Sequence, residues 1–168
     1  MIGRLHFSTS LLLSYLIYGF LGFDKVSSIV LSIITASISS LPDFDYKIFS
    51  WANKKKILFE KTGLKYILFP IYLLILLLIK LFRHRGITHS IFPIIIFFYL
   101  SIFFRPFLIL SISFLLHSIE DSFTVSGIYP LYPVRDIQLK IPILSNKQRR
   151  LQSILSYLFI FIFFLLIL

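Results

Sequence analysis

Long apolar blocks occupy most of this 168-residue chain and leave it few ways to fold. The blocks are Phe7–Phe23, Val26–Leu41, Tyr66–Phe82, Ser90–Phe104, Pro106–Ile119 and Leu151–Leu168. Hydrophobic residues make up 58% of the sequence and charged residues 14%, whereas a soluble domain has about 45–50% apolar and about 25% charged residues. Because a membrane-crossing helix needs about 20 mostly apolar residues, the blocks predict an all-α, multi-pass transmembrane helix bundle. They predict a single integral-membrane domain over residues 1–168 and exclude a soluble enzyme.

The basic residues indicate how the chain crosses the membrane. The 17 Lys and Arg outnumber the 7 Asp and Glu, for a net charge of +10, and basic residues collect on the cytoplasmic side of membrane spans. If Tyr66–Phe82 crosses the bilayer, these residues divide almost evenly between the two sides. If it is re-entrant or interfacial, only Lys25 and Arg105 face the opposite side. We therefore expect about five crossings plus one such segment in the cell membrane, and no nucleic-acid partner.

Histidine and aspartate residues lie at the ends of the apolar blocks, and they are candidate metal ligands. They are His6, Asp43, Asp45, His84, His89, His117 and Asp121. In the five-crossing arrangement all of them lie on the cytoplasmic side. The chain has no Cys, so disulfides and thiolate metal sites are excluded, but His and Asp bind Zn²⁺ or Mn²⁺ well. Since a zinc ion takes about four ligands, the set predicts one or more divalent ions.

Two of these pairs also have simpler explanations. His117 and Asp121 are four residues apart, so in a helix they project from the same face and can hold one ion. Such a pair near a helix end can equally be a hydrogen-bonded cap. Asp43 and Asp45 follow Pro42, and acidic residues there can complement the N-terminus of a helix.

The string RHRGITHS, residues 83–90, is more specific. His84 and His89 converge only if the chain turns between them, and Gly86 permits a turn. Arg85 has the fork geometry that holds a phosphate or a carboxylate. The alternative is a basic membrane flank that happens to contain histidines.

Together these motifs resemble those of the membrane-bound metal-dependent hydrolase family described as LexA-regulated and YdjM-like. The resemblance rests on His6, on LPDFD at 41–45, on HRGITHS at 84–90 and on HSIEDSFTVSGIYPLYP at 117–133. The last string keeps the His-x-x-x-Asp-x-x-Thr-x-x-Gly spacing that ends at Thr124 and Gly127. One departure is Tyr46, where family members often carry His after the second Asp. The layout is also similar, less closely, to that of zinc-dependent phospholipase C and P1 nuclease.

The resemblance implies a metal-dependent hydrolase whose ligands would be the seven His and Asp residues above, within residues 6–133. Arg85 and Asp121 would be catalytic, with Thr88 and Thr124 supporting the ligands. We expect a metal-activated water to attack a phosphate ester or phospholipid headgroup at the cytoplasmic face, since a divalent ion makes hydroxide available at neutral pH. Membrane lipids would be partners. The alternatives are a non-enzymatic metal-binding or metal-transporting membrane protein, and a structural bundle whose basic loops bind anionic lipid.

Overall fold

The computed structural model describes residues 3–83, 85–145 and 147–168, and the fold in these ranges is helical. The helices are α1 (Gly3–Phe20), α2 (Lys25–Ile38), α3 (Phe44–Thr62), α4 (Leu64–Ile67), α5 (Phe69–Leu81), α6 (Ile91–Leu100), α7 (Pro106–Ser122) and α8 (Arg149–Ile167). Single 3₁₀ turns at Leu41–Asp43 and Ile87–His89 precede α3 and α6. No β-strand occurs in the described ranges, although isolated bridges join Thr124 to Leu144 and Ile128 to Leu139. The all-α prediction is confirmed.

Within the described ranges, two helical stretches are long and apolar enough to cross a membrane. One is Lys25–Thr62, which runs from α2 through the 3₁₀ turn into α3, and the other is Arg149–Ile167. The remaining apolar helices are shorter. The 13 residues of α5 span about 20 Å at 1.5 Å per residue, less than the roughly 30 Å hydrocarbon core.

Helix α1 lies at the centre of the bundle, where it packs against α2, α7 and α8. Its buried face carries small polar side chains, including Ser8, Ser10 and Ser14, and α2 presents Ser28 and Ser32 in the same way. Small residues allow helix backbones to approach closely in a membrane. The connection between α1 and α2 is short, and Asp24 caps α2 by accepting a hydrogen bond from the Ser27 amide at 3.0 Å.

The predicted block Tyr66–Phe82 is divided in the structure. It forms α4 and α5, separated at Leu68, with Pro70 in the first turn of α5. Gly63 ends α3 in the left-handed conformation with φ 72°, so the chain reverses and α5 packs back along α3. The polar stretch Tyr46–Lys65, between the second and third apolar blocks, is mostly the helix α3.

Two helices extend further than the apolar blocks that predicted them. Helix α1 begins at Gly3 and includes His6, and α7 continues past Ile119 to Ser122. The extra turn of α7 carries Glu120 and Asp121, both buried, because they contact polar side chains of α1 and of the 85–89 turn. These extensions bring the start of α1 and the end of α7 together at one end of the bundle.

Candidate metal centre

Four of the predicted ligands come together at this end of the bundle, from three separate elements. Asp43 is the last residue of the 3₁₀ turn after α2, and His89 is the last residue of the 3₁₀ turn before α6. His117 and Asp121 lie one turn apart on α7, as their spacing predicted. One ligand atom from each residue lies within 4.8 Å of all the others.

The spacings of the two histidine nitrogens from each other and from the carboxylate oxygens are close to those around a single tetrahedral ion. His89 Nε2 and His117 Nε2 are 3.1 Å apart, and each lies 3.6 Å from Asp43 Oδ1. Asp121 Oδ2 is 3.5 Å from His89 Nε2 and 3.8 Å from His117 Nε2. In a tetrahedral zinc site with bonds of about 2.0–2.2 Å, ligand atoms lie about 3.3–3.6 Å apart. Two nitrogens and two oxygens are also a donor set that zinc accepts.

The second ring nitrogen of His89, Nδ1, contacts two polar side chains that fix the orientation of the ring. Its Nδ1 lies 3.3 Å from Asp45 Oδ2 and 3.0 Å from Thr88 Oγ1, and Thr88 donates to Asp45 at 3.2 Å. A carboxylate on the far nitrogen fixes the orientation and tautomer of a metal-binding histidine. Asp45 thus lies behind His89 rather than beside the other ligand atoms.

The surroundings of His89 favour a positive charge. Burial by itself lowers the pKa of this histidine, but its interactions with Asp121, Asp43 and Asp45 outweigh burial and raise the pKa to about 10. A bound cation would satisfy the same carboxylates, and its binding would displace the proton from His89.

Arg85 is buried, and both terminal nitrogens of its guanidinium contact residues of the site. Its Nη2 lies 3.0 Å from Asp121 Oδ2, and its Nη1 donates to Thr124 Oγ1 at 2.7 Å and to the Gly127 carbonyl at 2.6 Å. Its amide donates to Asp45 Oδ2 at 2.8 Å. Arg85 therefore ties the 85–89 turn, the end of α7 and the following loop to one another.

The turn between Arg83 and His89 depends on Gly86, though not for the reason that the sequence suggested. The left-handed residue is Arg85, with φ 60°, whereas Gly86 has φ −81°. A Cβ atom on Gly86 would lie 2.5 Å from the Leu81 carbonyl oxygen and 2.7 Å from the Arg83 carbonyl oxygen. Glycine is needed here because the backbone approaches itself too closely for a side chain.

Glu120 is a site residue that the sequence analysis did not identify. Its Oε2 lies 2.5 Å from His6 Nδ1, and its Oε1 accepts hydrogen bonds from Thr9 at 2.5 Å and from Ser10 at 2.9 Å. The nearest signal was its position beside Asp121 in the string HSIED. It was overlooked because an acidic residue at a helix end usually faces solvent, whereas this one is 5% exposed.

His6 lies at the edge of the group of four ligands. Its Nε2 is 3.4 Å from Asp121 Oδ1, the oxygen that faces away from His89. Its ring stacks on that of His117, with centroids 4.4 Å apart. The structure thus places His6 next to two of the converging residues, with Glu120 behind it.

The centre is mostly buried and carries more negative than positive side chains. Among the described residues it contains four carboxylates, from Asp43, Asp45, Glu120 and Asp121, and one guanidinium, from Arg85. Buried charges are costly unless they are paired or coordinate a metal, so this excess favours a cation. The Asp43 side chain is 51% exposed, whereas His89, His117 and Asp121 are buried. Asp43 therefore marks the side from which solvent reaches the centre.

The remaining predicted residues are placed as follows. Thr88 donates a hydrogen bond to Asp45, which contacts His89. Thr124 accepts a hydrogen bond from Arg85, which contacts Asp121. Tyr46, which replaces a histidine often present in the resembled family, is exposed. His84 was also predicted as a ligand, and it lies outside the described residues.

Comparisons with known proteins identify one family. Comparison with curated proteins and with solved structures gave no match. A family model described as YdjM inner membrane protein matches residues 1–168. The resemblance drawn from His6 and from the LPDFD, HRGITHS and HxxxDxxTxxG strings is confirmed. The chain belongs to the YdjM inner membrane protein family.

Proposed function

We propose that this protein is a membrane-bound, metal-dependent hydrolase that acts on phosphate esters, with the phospholipid headgroup as the preferred substrate class. The observation that carries the proposal is the convergence of Asp43, His89, His117 and Asp121 around one point, in a buried centre open at Asp43. These four side chains would hold the ion, and zinc suits their two nitrogens and two oxygens best. A divalent ion bound there would supply Lewis acidity and lower the pKa of water.

The protein's own groups would position the reaction. His6 lies on one oxygen of Asp121 and Arg85 on the other, which fixes the plane of that carboxylate. The terminal nitrogens of Arg85 already contact Thr124, Gly127 and Asp121, so we assign Arg85 the positioning of Asp121. We expect Asp43 or Asp121 to accept the proton of the attacking water, because these carboxylates are the bases within the group.

The substrate class follows from charge and location. In the five-crossing topology, which we keep as part of the proposal, the basic side chains other than Lys25 and Arg105 share the cytoplasmic side with the metal centre. A basic rim attracts anionic lipid headgroups and raises the local concentration of phosphate esters. A catalytic centre at the end of a membrane bundle can meet headgroups without extracting the lipid.

The first test is metal analysis of the detergent-purified protein together with a hydrolysis assay. The wild type should contain about one zinc ion per chain, and should hydrolyse bis(p-nitrophenyl) phosphate or the headgroup of phosphatidylglycerol or phosphatidylethanolamine. His117→Ala should lose both the metal and the activity. Asp43→Asn should lower both, and Asp24→Asn is the matched control, since Asp24 caps α2 at the connection to α1 and has no part in the centre.

The outcomes separate the candidate functions. Stoichiometric metal without hydrolysis of any phosphate ester would favour a metal-binding or metal-transporting protein. A folded wild type with no metal, purified without chelators and incubated with zinc, would leave the histidines as structural residues and overturn the hydrolase.

A further inference from the structure

A groove of about 270 Å³ runs along the side of the bundle next to the candidate metal centre. Three helices form most of it, and the loop residues Ile143 and Leu144 complete the lining. The apolar helix residues are Leu5 and Leu13 of α1, Ile119 near the end of α7 with Phe123 directly after that helix, and Leu155 and Phe159 of α8. The groove is therefore an apolar channel between helices that is closed on one side by a loop.

The dimensions of the groove suit one hydrocarbon chain. Leu5 and Leu13 are eight residues apart, so the groove follows α1 for about 12 Å. One leaflet of a bilayer has a hydrocarbon depth of about 15 Å, half of the roughly 30 Å core. The volume also exceeds that of the roughly 150 Å³ apolar cavity that holds benzene. A long, narrow apolar ligand fits this shape better than a compact one.

A chain of polar contacts links the lining of the groove to the metal centre. Glu120 and Thr9 are the polar residues in its lining, and they are already bonded to each other, while Glu120 also holds His6. The groove thus offers a ligand apolar surface only, because its polar atoms are occupied. His6 connects Glu120 to Asp121, which is one of the four ligand residues.

The groove is also open to the surroundings of the bundle. Leu13 is 38% exposed and Ile119 is 41% exposed, and both lie in the groove wall. In an inner membrane protein, the molecules that surround such a surface are lipids. Hydrocarbon chains therefore reach the groove laterally, without leaving the membrane.

We propose that this groove binds a single hydrocarbon chain of a membrane phospholipid beside the metal centre. Its role as a substrate site rests on the proposed function, but binding of the chain does not. A chain gains no hydrophobic free energy when it moves from lipid to protein, so packing decides its position. The groove would hold a lipid with its phosphate at the level of His6 and Asp121. The site would then prefer phosphate esters that carry a hydrocarbon chain over water-soluble phosphate esters.

The experiment uses the full-length protein in phosphatidylcholine nanodiscs that contain a minor fraction of phosphatidylglycerol with a diazirine on one acyl chain. After irradiation, mass spectrometry maps the labelled residues. We expect labels concentrated on the groove residues of α1, α7 and α8. Leu155→Trp, which fills the groove, should lower that labelling about tenfold, equivalent to about 1.4 kcal/mol in binding. The control is Leu158→Trp, on the same helix but 47% exposed and outside the groove.

The results separate this inference from the proposed hydrolase. Groove labelling that Leu155→Trp abolishes and Leu158→Trp preserves supports the lipid site, whether or not hydrolysis is observed. Labels spread evenly over the exposed faces of all helices would overturn it, as would equal loss in both variants. Crosslinks between two copies of the chain at these residues would also overturn it, because the groove would then be a protein interface. Thermal unfolding and gel-filtration elution of each sample report whether the variants retain their fold, independently of zinc binding.

Discussion

Two histidines of the centre are held in the same way by different carboxylates. Asp45 lies on Nδ1 of His89 and Glu120 lies on Nδ1 of His6. The Nε2 atoms of both histidines then face Asp121, one on each oxygen. A second carboxylate behind each imidazole raises its basicity and fixes its orientation. Asp121 is therefore the residue on which both arrangements converge.

Replacing Asp45 tests whether this support matters for metal binding. Asp45→Asn keeps the shape of the side chain but removes the charge behind His89, so zinc affinity should fall about 10- to 100-fold. Competition with a chelating dye measures the affinity, and Asp24→Asn serves as the control. An unchanged affinity would show that Asp45 has no part in orienting His89.

Arg85 is expected to matter most when the metal is absent. Arg85→Met removes the guanidinium and leaves Asp121 with a buried charge, a change that typically costs about 3–5 kcal/mol of folding stability. A bound divalent ion compensates the same carboxylate, so the loss should be smaller in the zinc-loaded protein. Thermal unfolding of the metal-free and loaded proteins in detergent measures both values. Equal losses in the two states would contradict the assignment of Arg85 to Asp121.

The sequence predicted the ligands better than the residues that support them. The pairing of His117 with Asp121 follows from helical periodicity alone, so the spacing of the two residues is enough to predict it. The contact between Glu120 and His6 joins residues 114 positions apart, and no local pattern reports a contact at that separation. The burial of Arg85 was missed for the same reason, because Thr124 and Gly127 are distant in sequence.

At the level of elements, the turn from Arg83 to His89 is the part of the site most sensitive to a small change. Gly86→Ala places a methyl group against the Leu81 and Arg83 carbonyl oxygens, so the turn must shift and carry His89 away from His117. We expect loss of zinc binding and a lower unfolding temperature. Metal content and thermal unfolding provide the measurements.

The matched control for this change is Gly19→Ala. Gly19 lies in α1, and a Cβ atom there has no neighbour within 4 Å. Alanine is favoured over glycine in a helix by about 1 kcal/mol, so this variant should keep its metal and be as stable as the wild type or slightly more so. If both variants behave alike, close packing at Gly86 is not what shapes the turn.

The helices themselves were largely predictable, whereas their ends were not. Apolar blocks predicted the existence of α1, α2, α5, α6, α7 and α8, because burial in lipid or protein requires such runs. The extension of α7 over Glu120 and Asp121 depends on partners in α1 and in the 85–89 turn. Composition alone ends the helix at Ile119, where the apolar residues stop.

For the whole molecule, the arrangement of crossings has a direct test, because the natural chain has no Cys. Single-cysteine variants at Lys25, Lys54, Arg105 and Lys140 can be treated in intact cells with a maleimide that does not cross the inner membrane. Five crossings with the basic side in the cytoplasm predict labelling of Lys25→Cys and Arg105→Cys only. Labelling of either Lys54→Cys or Lys140→Cys without the other would instead place Tyr66–Phe82 across the bilayer.

The three elements that supply the ligands have a consequence for how the protein is made. Asp43 and His89 leave the ribosome well before His117 and Asp121, and the bundle is inserted during the same period. A chain that ends before α7 presents only two of the four converging residues, Asp43 and His89, which together make a poor chelator. Under the proposed function, capture of the ion would therefore wait until α7 has been inserted and docked on α1. In a zinc-starved cell, newly made copies would complete their insertion first and compete for metal afterwards as assembled apoproteins.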